Sequence, residues 1–520
     1  MSKISKNLSL VSLLTMGSRI LGLLRDILFF SAFGASIFGE AFILAFTIPN
    51  LFRRMLGEGT LSSAFIPVYA EAKKKSISLA FDLMNKVLGR LLLGLSVLIL
   101  LVVSLSYGAA QSGWFESEKW TNGSLLNSIT FGYVLFICAS AIMVGALNTR
   151  GSFFAGALSP ILLNLSMIST LAFFGLGLGW SGLGLATVLC VSVLVAGVIQ
   201  FLLPFLQLRL ADGWCWKFDL GRSEELDRIK KIFWVGAMGA AVVQINVLVS
   251  RFLAYSLDEQ GGVSYLFLAS RLIELPLGVF AIAISTVLFP ELAKAATESS
   301  PKKFMDYFFR GFRMTLAVTL PAAVGLGLLA EPILSVLFEW GQFGPTQVKS
   351  ASTVLLISSL GLPLYAVSAF MVKAFHSQKK MIHPLRAALI SLIANAALSV
   401  WLMQDHGVYG LALANVLAAF VQTIYLITKT EGFVFLTFIQ KQPLFFLPIL
   451  FSSLLMGVIL YLLNDWITLP TGKGSDITKL FLFIPMGAFC YFLFCYASRL
   501  PEARSFGAKM TKSLPFGGRL

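Results

Sequence analysis

The sequence predicts an all-α integral membrane protein of about fourteen transmembrane helices. Two six-helix lobes form a parallel pseudo-repeat, and two C-terminal helices follow. Three observations carry this expectation. Of 520 residues, 57% are hydrophobic and only 12% charged, against roughly 25% charged in soluble domains. Apolar runs of about 20 residues, enough to cross a bilayer, recur from end to end. Segments of the first half also reappear, in order, in the second.

The opening "MSKISKNLSLVSLLTMGSRILGLLRDILFF" has a basic start, but its apolar run is too long for a cleaved signal peptide and lacks a small-residue cleavage site. It reads as the first span, 8–33. The others fall at 40–70, 87–110, 125–149, 156–179, 182–208, 232–257, 262–290, 312–330, 347–375, 385–403, 407–428, 443–464 and 477–498. The chain thus divides into an N-lobe (1–210), a cytoplasmic inter-lobe linker (211–231), a C-lobe (232–430), spans thirteen and fourteen (431–498) and a basic cytoplasmic tail (499–520). In the linker, "LGRSEELDRIKKIFW" predicts a short interfacial helix capped by Ser223.

Charge supports this topology. With the N-terminus inside, about thirty of the forty Lys and Arg fall in cytoplasmic loops and tails, whereas Lys119, Lys349, Lys473 and Lys479 fall outside. The net charge of +15 then follows from the positive-inside bias and calls for no nucleic acid. Cys138, Cys190, Cys215, Cys490 and Cys495 show no metal-ligand spacing, and His376, His383 and His406 form no HxxH pattern, so no metal or other cofactor is expected. The repeat shows in "GLGLATVL" at 182–189 and "GLALANVL" at 410–417, and in Pro160 against Pro384. Pro49 and Pro67 of the second span likewise match Pro276 and Pro290 of the eighth. "GLGLGWSGLGLA" lacks the preceding strand and following lysine of a phosphate loop, and is read as small-residue helix packing.

The chemistry lies in charges inside these spans: Arg19, Arg25 and Asp26 in the first, Arg53, Arg54 and Glu58 in the second, Arg251 in the seventh, and Arg271 and Glu274 in the eighth. An arginine at the bilayer centre costs at least about 2.5–3.5 kcal/mol. Arg251, near a span end, snorkels. Glu58 can pair with Arg54 at i,i+4 or with Arg53; spacing alone does not choose. The arginines still outnumber the acids, and a surplus of guanidinium in a low-dielectric setting is an anion receptor, since arginine stays charged and binds phosphate oxygens in bidentate fashion. Arg25, Arg53 and Arg271 come from both lobes, as a substrate clamp between repeats requires.

The blocks "SRILGLLRD", "IPNLFRRMLGEG", "AFIPVYAE", "SPILLNLSMI" and "SRLIELPLGVFAIAISTVLFPELAKA" resemble the MurJ (MviN) lipid II flippases of the multidrug/oligosaccharidyl-lipid/polysaccharide exporter superfamily, over nearly the whole chain. The resemblance implies a bacterial inner-membrane transporter, not an enzyme. It would move undecaprenyl-pyrophosphate-linked disaccharide-pentapeptide from the inner to the outer leaflet by alternating access, with Arg19, Arg25, Arg53 and Arg271 binding substrate. Asp26, Arg54, Glu58 and Glu274 would be supporting charges, and the last two spans a groove for the lipid tail. Membrane lipids and the cell-wall synthesis machinery are the implied surroundings. Departures exist: Glu40 stands where many relatives have Asp, and Ser270 where an acid is common. Where some members carry acids proposed to bind sodium, this chain has Asn246, Asn395, Ser399 and Asn415. The expectation is therefore coupling to the membrane potential or another ion, with sodium disfavoured. The alternative within the superfamily is an exporter of another lipid-linked oligosaccharide. A membrane glycosyltransferase would need an acidic or metal centre that the short outer loops do not offer.

Overall fold

Apolar runs punctuated by glycine and proline fold into helix after helix, and no strand occurs among the described residues. The computed structural model describes residues 3–57, 60–114, 117–298, 300–430, 446–467, 472–498 and 500. Glu58, the start of the thirteenth expected span and all of the expected basic tail except Leu500 lie outside them.

The chain separates into two compact units, 1–264 with 340–344, and 265–339 with 345–520. The first contains α1 (Lys3–Phe33), α2 (Ile37–Phe52), α3 (Thr60–Lys75), α4 (Ile77–Gln111), α5 (Glu118–Thr130), α6 (Tyr133–Asn148), α7 (Phe154–Thr170), α8 (Gly182–Asp212) and α9 (Glu224–Ser256). The second contains most of α10 (Gly262–Pro276), then α11 (Ile282–Thr297), α12 (Pro301–Leu328), α13 (Ala330–Phe338), α14 (Pro345–Ser359), α15 (Leu362–Ser377), α16 (Ile382–Thr428), α17 (Leu447–Trp466) and α18 (Lys473–Ala497).

By length and apolarity, ten described helices can cross a membrane, or eleven if the α14–α15 pair, bent by 43°, is one span. The difference from fourteen has physical causes. At 47 residues, α16 would be roughly 70 Å long if straight, about twice the bilayer core. It breaks at Gly407 (φ 52, ψ −130), the first residue of the twelfth expected span. The expected first and second spans, α1 and α2–α3, are the ones that carry several arginines, and α2 and α3 are separate 16-residue helices. Ser223 does cap α9, its Oγ accepting the Leu226 N–H at 3.3 Å. The helix then runs unbroken to Ser256, so the charged segment is its first turns rather than a separate interfacial helix.

The repeat is visible inside each unit. In the first, α3, α4 and α6 share a core of Phe65, Tyr69, Met84 and Met143. In the second, the corresponding α11, α12 and α15 share Leu292, Phe308, Phe370 and Met371. The second expected span leaves α-helical geometry for a π-helical turn at Arg53–Gly57, and the eighth does so at Leu277–Ala281. Each turn lies between the paired prolines, Pro49 and Pro67 in one and Pro276 and Pro290 in the other. A proline lacks the N–H that would continue the ladder, and local π adjustments are among the ways membrane helices tolerate proline.

Lipid gives helices no hydrophobic reason to associate, so close packing and polar bonds must do so. The α6–α8 contact shows both. Gly197 packs against the Tyr133 ring so closely that a Cβ would come within 2.7 Å of it. The Tyr133 hydroxyl donates to Gln200 Oε1 at 3.0 Å, Gln200 Nε2 donates to the Ser159 carbonyl at 2.6 Å, and Ser140 donates to the Gln200 carbonyl at 2.8 Å.

Candidate functional site

In the first unit, α1 presents Arg25 beside Asp26. Arg25 Nε and Nη2 both donate to Asp26 Oδ1, at 3.0 and 2.6 Å, and Nη1 donates to Asn164 Oδ1 of α7 at 3.1 Å. Asn164 closes the bracket: its Nδ2 donates back to the Ser18 carbonyl of α1 at 3.0 Å. The Arg25 side chain is 13% exposed and that of Asp26 3%. A guanidinium has five N–H groups. Three are used in these bonds, which leaves two (five minus three) for an oxygen ligand. The plane of the guanidinium is fixed by its neighbours before any ligand arrives, and a fixed fork is the geometry that bidentate phosphate recognition needs.

Arg53 opens the π turn, and its Nε donates to Asn50 Oδ1 at 2.8 Å. It lies close enough to Cys138 of α6 to act on it electrostatically. Arg54 follows, exposed to the surroundings. Its expected pairing with Glu58 falls outside the described residues. Arg19 is exposed on α1 and six positions from Arg25, so at about 100° per residue the two point to different sides of the helix.

In the second unit, Arg271 Nη1 stands 3.9 Å from Glu274 Oε2, with side chains 34% and 49% exposed. This is a loose i,i+3 pair, unlike the tight Arg25–Asp26 contact. Ser270 turns its hydroxyl to the Leu266 carbonyl. Asn395 and Ser399 are fully buried and bonded to each other at 3.3 Å, and Asn415 donates to the Leu411 carbonyl. Arg251 is half-buried on α9.

Sequence reasoning missed the neutral residues that hold the arginines. Asn164 sits in "SPILLNLSMI" as a lone amide in an apolar span, and Asn50 precedes Arg53 by three residues in "IPNLFRR"; both are signals once the arginines are under suspicion. It also treated Lys119 as an ordinary outer-loop cation. Lys119 is buried, 3.2 Å from Glu40 Oε2, and donates to the Leu257 carbonyl at 3.1 Å. Glu40 Oε1 in turn accepts the Val263 N–H at 2.7 Å. Lys373, inside the tenth expected span, was passed over as well; it donates to Thr286 Oγ1 at 3.0 Å.

The family model described as lipid II flippase MurJ matches residues 29–481. A protein of Bdellovibrio bacteriovorus described as "Probable lipid II flippase MurJ" is 31% identical over 95% of this chain and 94% of its own. A Vibrio cholerae protein with the same description is 34% identical over 79% of this chain and 80% of its own. Among solved structures, "Lipid II flippase MurJ, inward closed conformation" superposes with a TM-score of 0.76 at 28% identity, covering 94% of this chain and 99% of that one. An inward-facing multidrug resistance MATE family transporter of the MOP superfamily, at 15% identity over 78% of this chain and 92% of that one, gives 0.62. That second likeness is one of fold alone.

Proposed function

The chain belongs to the lipid II flippase MurJ family, and from that premise we propose that it moves lipid II across the inner membrane, holding the pyrophosphate with Arg25, Arg53 and Arg271, while Arg19, on another side of α1, meets the substrate apart from that clamp. It acts as a multi-pass transporter, not an enzyme: no bond is made or broken. The observation that carries the site assignment is the Arg25 bracket, in which Asp26 and Asn164 orient a guanidinium and leave two of its N–H groups for a ligand. Guanidinium replaces the water that the pyrophosphate loses on leaving the surface, while the polyprenyl tail stays in lipid beside spans thirteen and fourteen. Asp26, Glu58 and Glu274 temper the positive charge, and Arg54 adds to it beside Arg53. Access alternates between leaflets, and both termini face the cytoplasm.

The membrane field favours the outward direction. Each charge is worth about 2.3 kcal/mol per 100 mV, so a dianionic headgroup leaving a negative interior gains about 4–5 kcal/mol if it crosses the whole field. The deciding experiment is lipid II accessibility to an enzyme acting only from outside, in cells depleted of this protein. Accumulation of inaccessible lipid II supports the proposal. Normal accessibility and turnover would assign the cationic site to another lipid-linked sugar.

A further inference from the structure

Between α8 and α9 the chain runs as a strap, residues 213–222, "GWCWKFDLGR". Gly213 ends α8 in the left-handed conformation (φ 66), which glycine adopts freely, and the strap folds back along α4. Trp214 is 1% exposed. Its indole N–H donates to Asn85 Oδ1 at 3.1 Å. At the other end, Arg90 donates to the Leu220 and Gly221 carbonyls at 2.5 and 3.0 Å, and Asp219 Oδ1 accepts the Gly221 N–H at 2.6 Å. The Asp219 carbonyl lies so near Gly89 that a Cβ there would come within 2.6 Å of it. The path of the strap is therefore fixed at both ends.

Its depth can be read from α4. The charged residues Asp82, Lys86 and Arg90 end where an uncharged, largely apolar run begins at Leu91, and beyond that point Leu93, Val97, Leu100 and Leu101 are exposed side chains of a helix able to cross a membrane. A helix that changes from charged to apolar at Arg90 meets the bilayer boundary there, and Arg90 is the residue to which the strap is bonded.

At that level the strap turns large apolar side chains outward: Trp216 is 44%, Phe218 56% and Leu220 43% exposed. Lys217 stands between them, with Arg209 and Arg222 on either side. About half of each side chain stays exposed, yet their backbone is held by the bonds at both ends of the strap. Amphipathic aromatics interleaved with cations at the boundary depth match an interface of headgroups and acyl carbons, and anionic headgroups attract clustered Lys and Arg. Asp219 offsets one of these charges, and Lys217 and Arg222 still leave the strap net positive.

We propose that residues 213–222 form a membrane-surface anchor. Trp216, Phe218 and Leu220 enter the headgroup–acyl boundary, and Arg209, Lys217 and Arg222 bind anionic phospholipid headgroups. Because the strap is already ordered, little conformational entropy is lost on docking. The anchor requires only that α4 and α8 cross the bilayer, and it stands separately from the flippase reading.

Cys215, exposed within the strap, supplies the probe. The full-length protein carrying Cys490→Ala is labelled at Cys215 with an environment-sensitive fluorophore and reconstituted in phosphatidylcholine vesicles with or without phosphatidylglycerol. The expected result is a blue-shifted emission, quenched by spin labels placed shallow in the lipid and shielded from aqueous iodide, more strongly with phosphatidylglycerol. Trp216→Ser with Phe218→Ser should abolish the lipid quenching. Lys217→Gln with Arg222→Gln should remove only the dependence on phosphatidylglycerol. These side chains are exposed, so the variants keep the Trp214–Asn85 contact. Free access of iodide with no lipid quenching would overturn the anchor, as would emission unchanged by the serine pair. Shallow quenching indifferent to phosphatidylglycerol would overturn the headgroup assignment.

Discussion

Replacing Asn164 by alanine tests whether Arg25 must be aimed, and not merely present. The amide makes two bonds that alanine cannot: it accepts from Arg25 Nη1 at 3.1 Å and donates to the Ser18 carbonyl at 3.0 Å. A hydrogen bond to a charged group contributes about 1.5–3 kcal/mol, and a neutral interhelical bond in a membrane about 0.6 kcal/mol. The Arg25 bond therefore dominates a total of roughly 2–4 kcal/mol. Since 1.4 kcal/mol is a factor of ten, losing the aim of Arg25 should slow flipping about tenfold or more, with the protein still inserted. The assay is external accessibility of lipid II in cells relying on the variant, with its membrane abundance measured in parallel.

Asn164→Asp separates aim from charge. A carboxylate holds Arg25 more tightly but adds a negative charge beside the phosphate it should attract. The aspartate variant should therefore be at least as heat-stable as the alanine variant and flip no better. Wild-type flipping by Asn164→Ala at unchanged abundance would refute the argument that orientation matters. Wild-type flipping by Asn164→Asp would refute anion binding by Arg25.

Arg53→Ala and Arg271→Ala should each abolish flipping while leaving insertion intact; normal growth of a strain relying on either would remove that residue from the site. Gly341 (φ 57) packs its Cα against the Ser31 backbone, leaving no room for a Cβ. Gly341→Ala should lower the unfolding temperature, since left-handed backbone alone costs about 1–2 kcal/mol, and an unchanged melting curve would contradict the packing. Arg228 donates to both oxygens of Glu71 at 2.5 and 3.1 Å and holds its carboxyl below the ordinary value of 4.5. A lowered carboxylate pKa stabilises the fold above the unfolded value, and that contribution fades as pH falls through the folded one. Glu71→Gln should thus narrow the stability difference between neutral and acidic pH, slightly and less so in high salt, because the pair is exposed.

The fold class was legible because the bilayer imposes it: long apolar runs leave only helices or barrels, and their length and loop charge do the rest. Arg25, Arg53 and Arg271 stood out in the sequence for the complementary reason, that each is costly inside a span. The asparagines that hold two of them did not. An asparagine inside a span costs far less than an arginine, so Asn164 and Asn50 raise no alarm until the guanidinium they touch is known. Neither the association of 340–344 with the first unit nor the burial of Lys119 against Glu40 has a local signature, because each depends on residues brought together from distant parts of the chain.

The π turns occupy a middle position. Nothing in "RRMLG" or "LGVFA" distinguishes it from ordinary helix, yet the paired prolines around each were visible as a repeat. A π turn accommodates an extra residue, which rotates the side chains after it by about 100° relative to an unbroken helix. In the second span Arg53 and Arg54 are the first residues of the turn itself; in the eighth the turn begins at Leu277, after Arg271 and Glu274. The second and eighth spans, which carry Arg53, Arg54 and Arg271, both depart from α geometry between proline pairs; the fifth does so at Leu171–Gly177 without a pair or an arginine. Charge and backbone are tied differently in the two: Arg53 and Arg54 open the π turn of the second span, so its geometry bears on where they point, whereas in the eighth the turn follows Arg271 and re-aims only the residues beyond it.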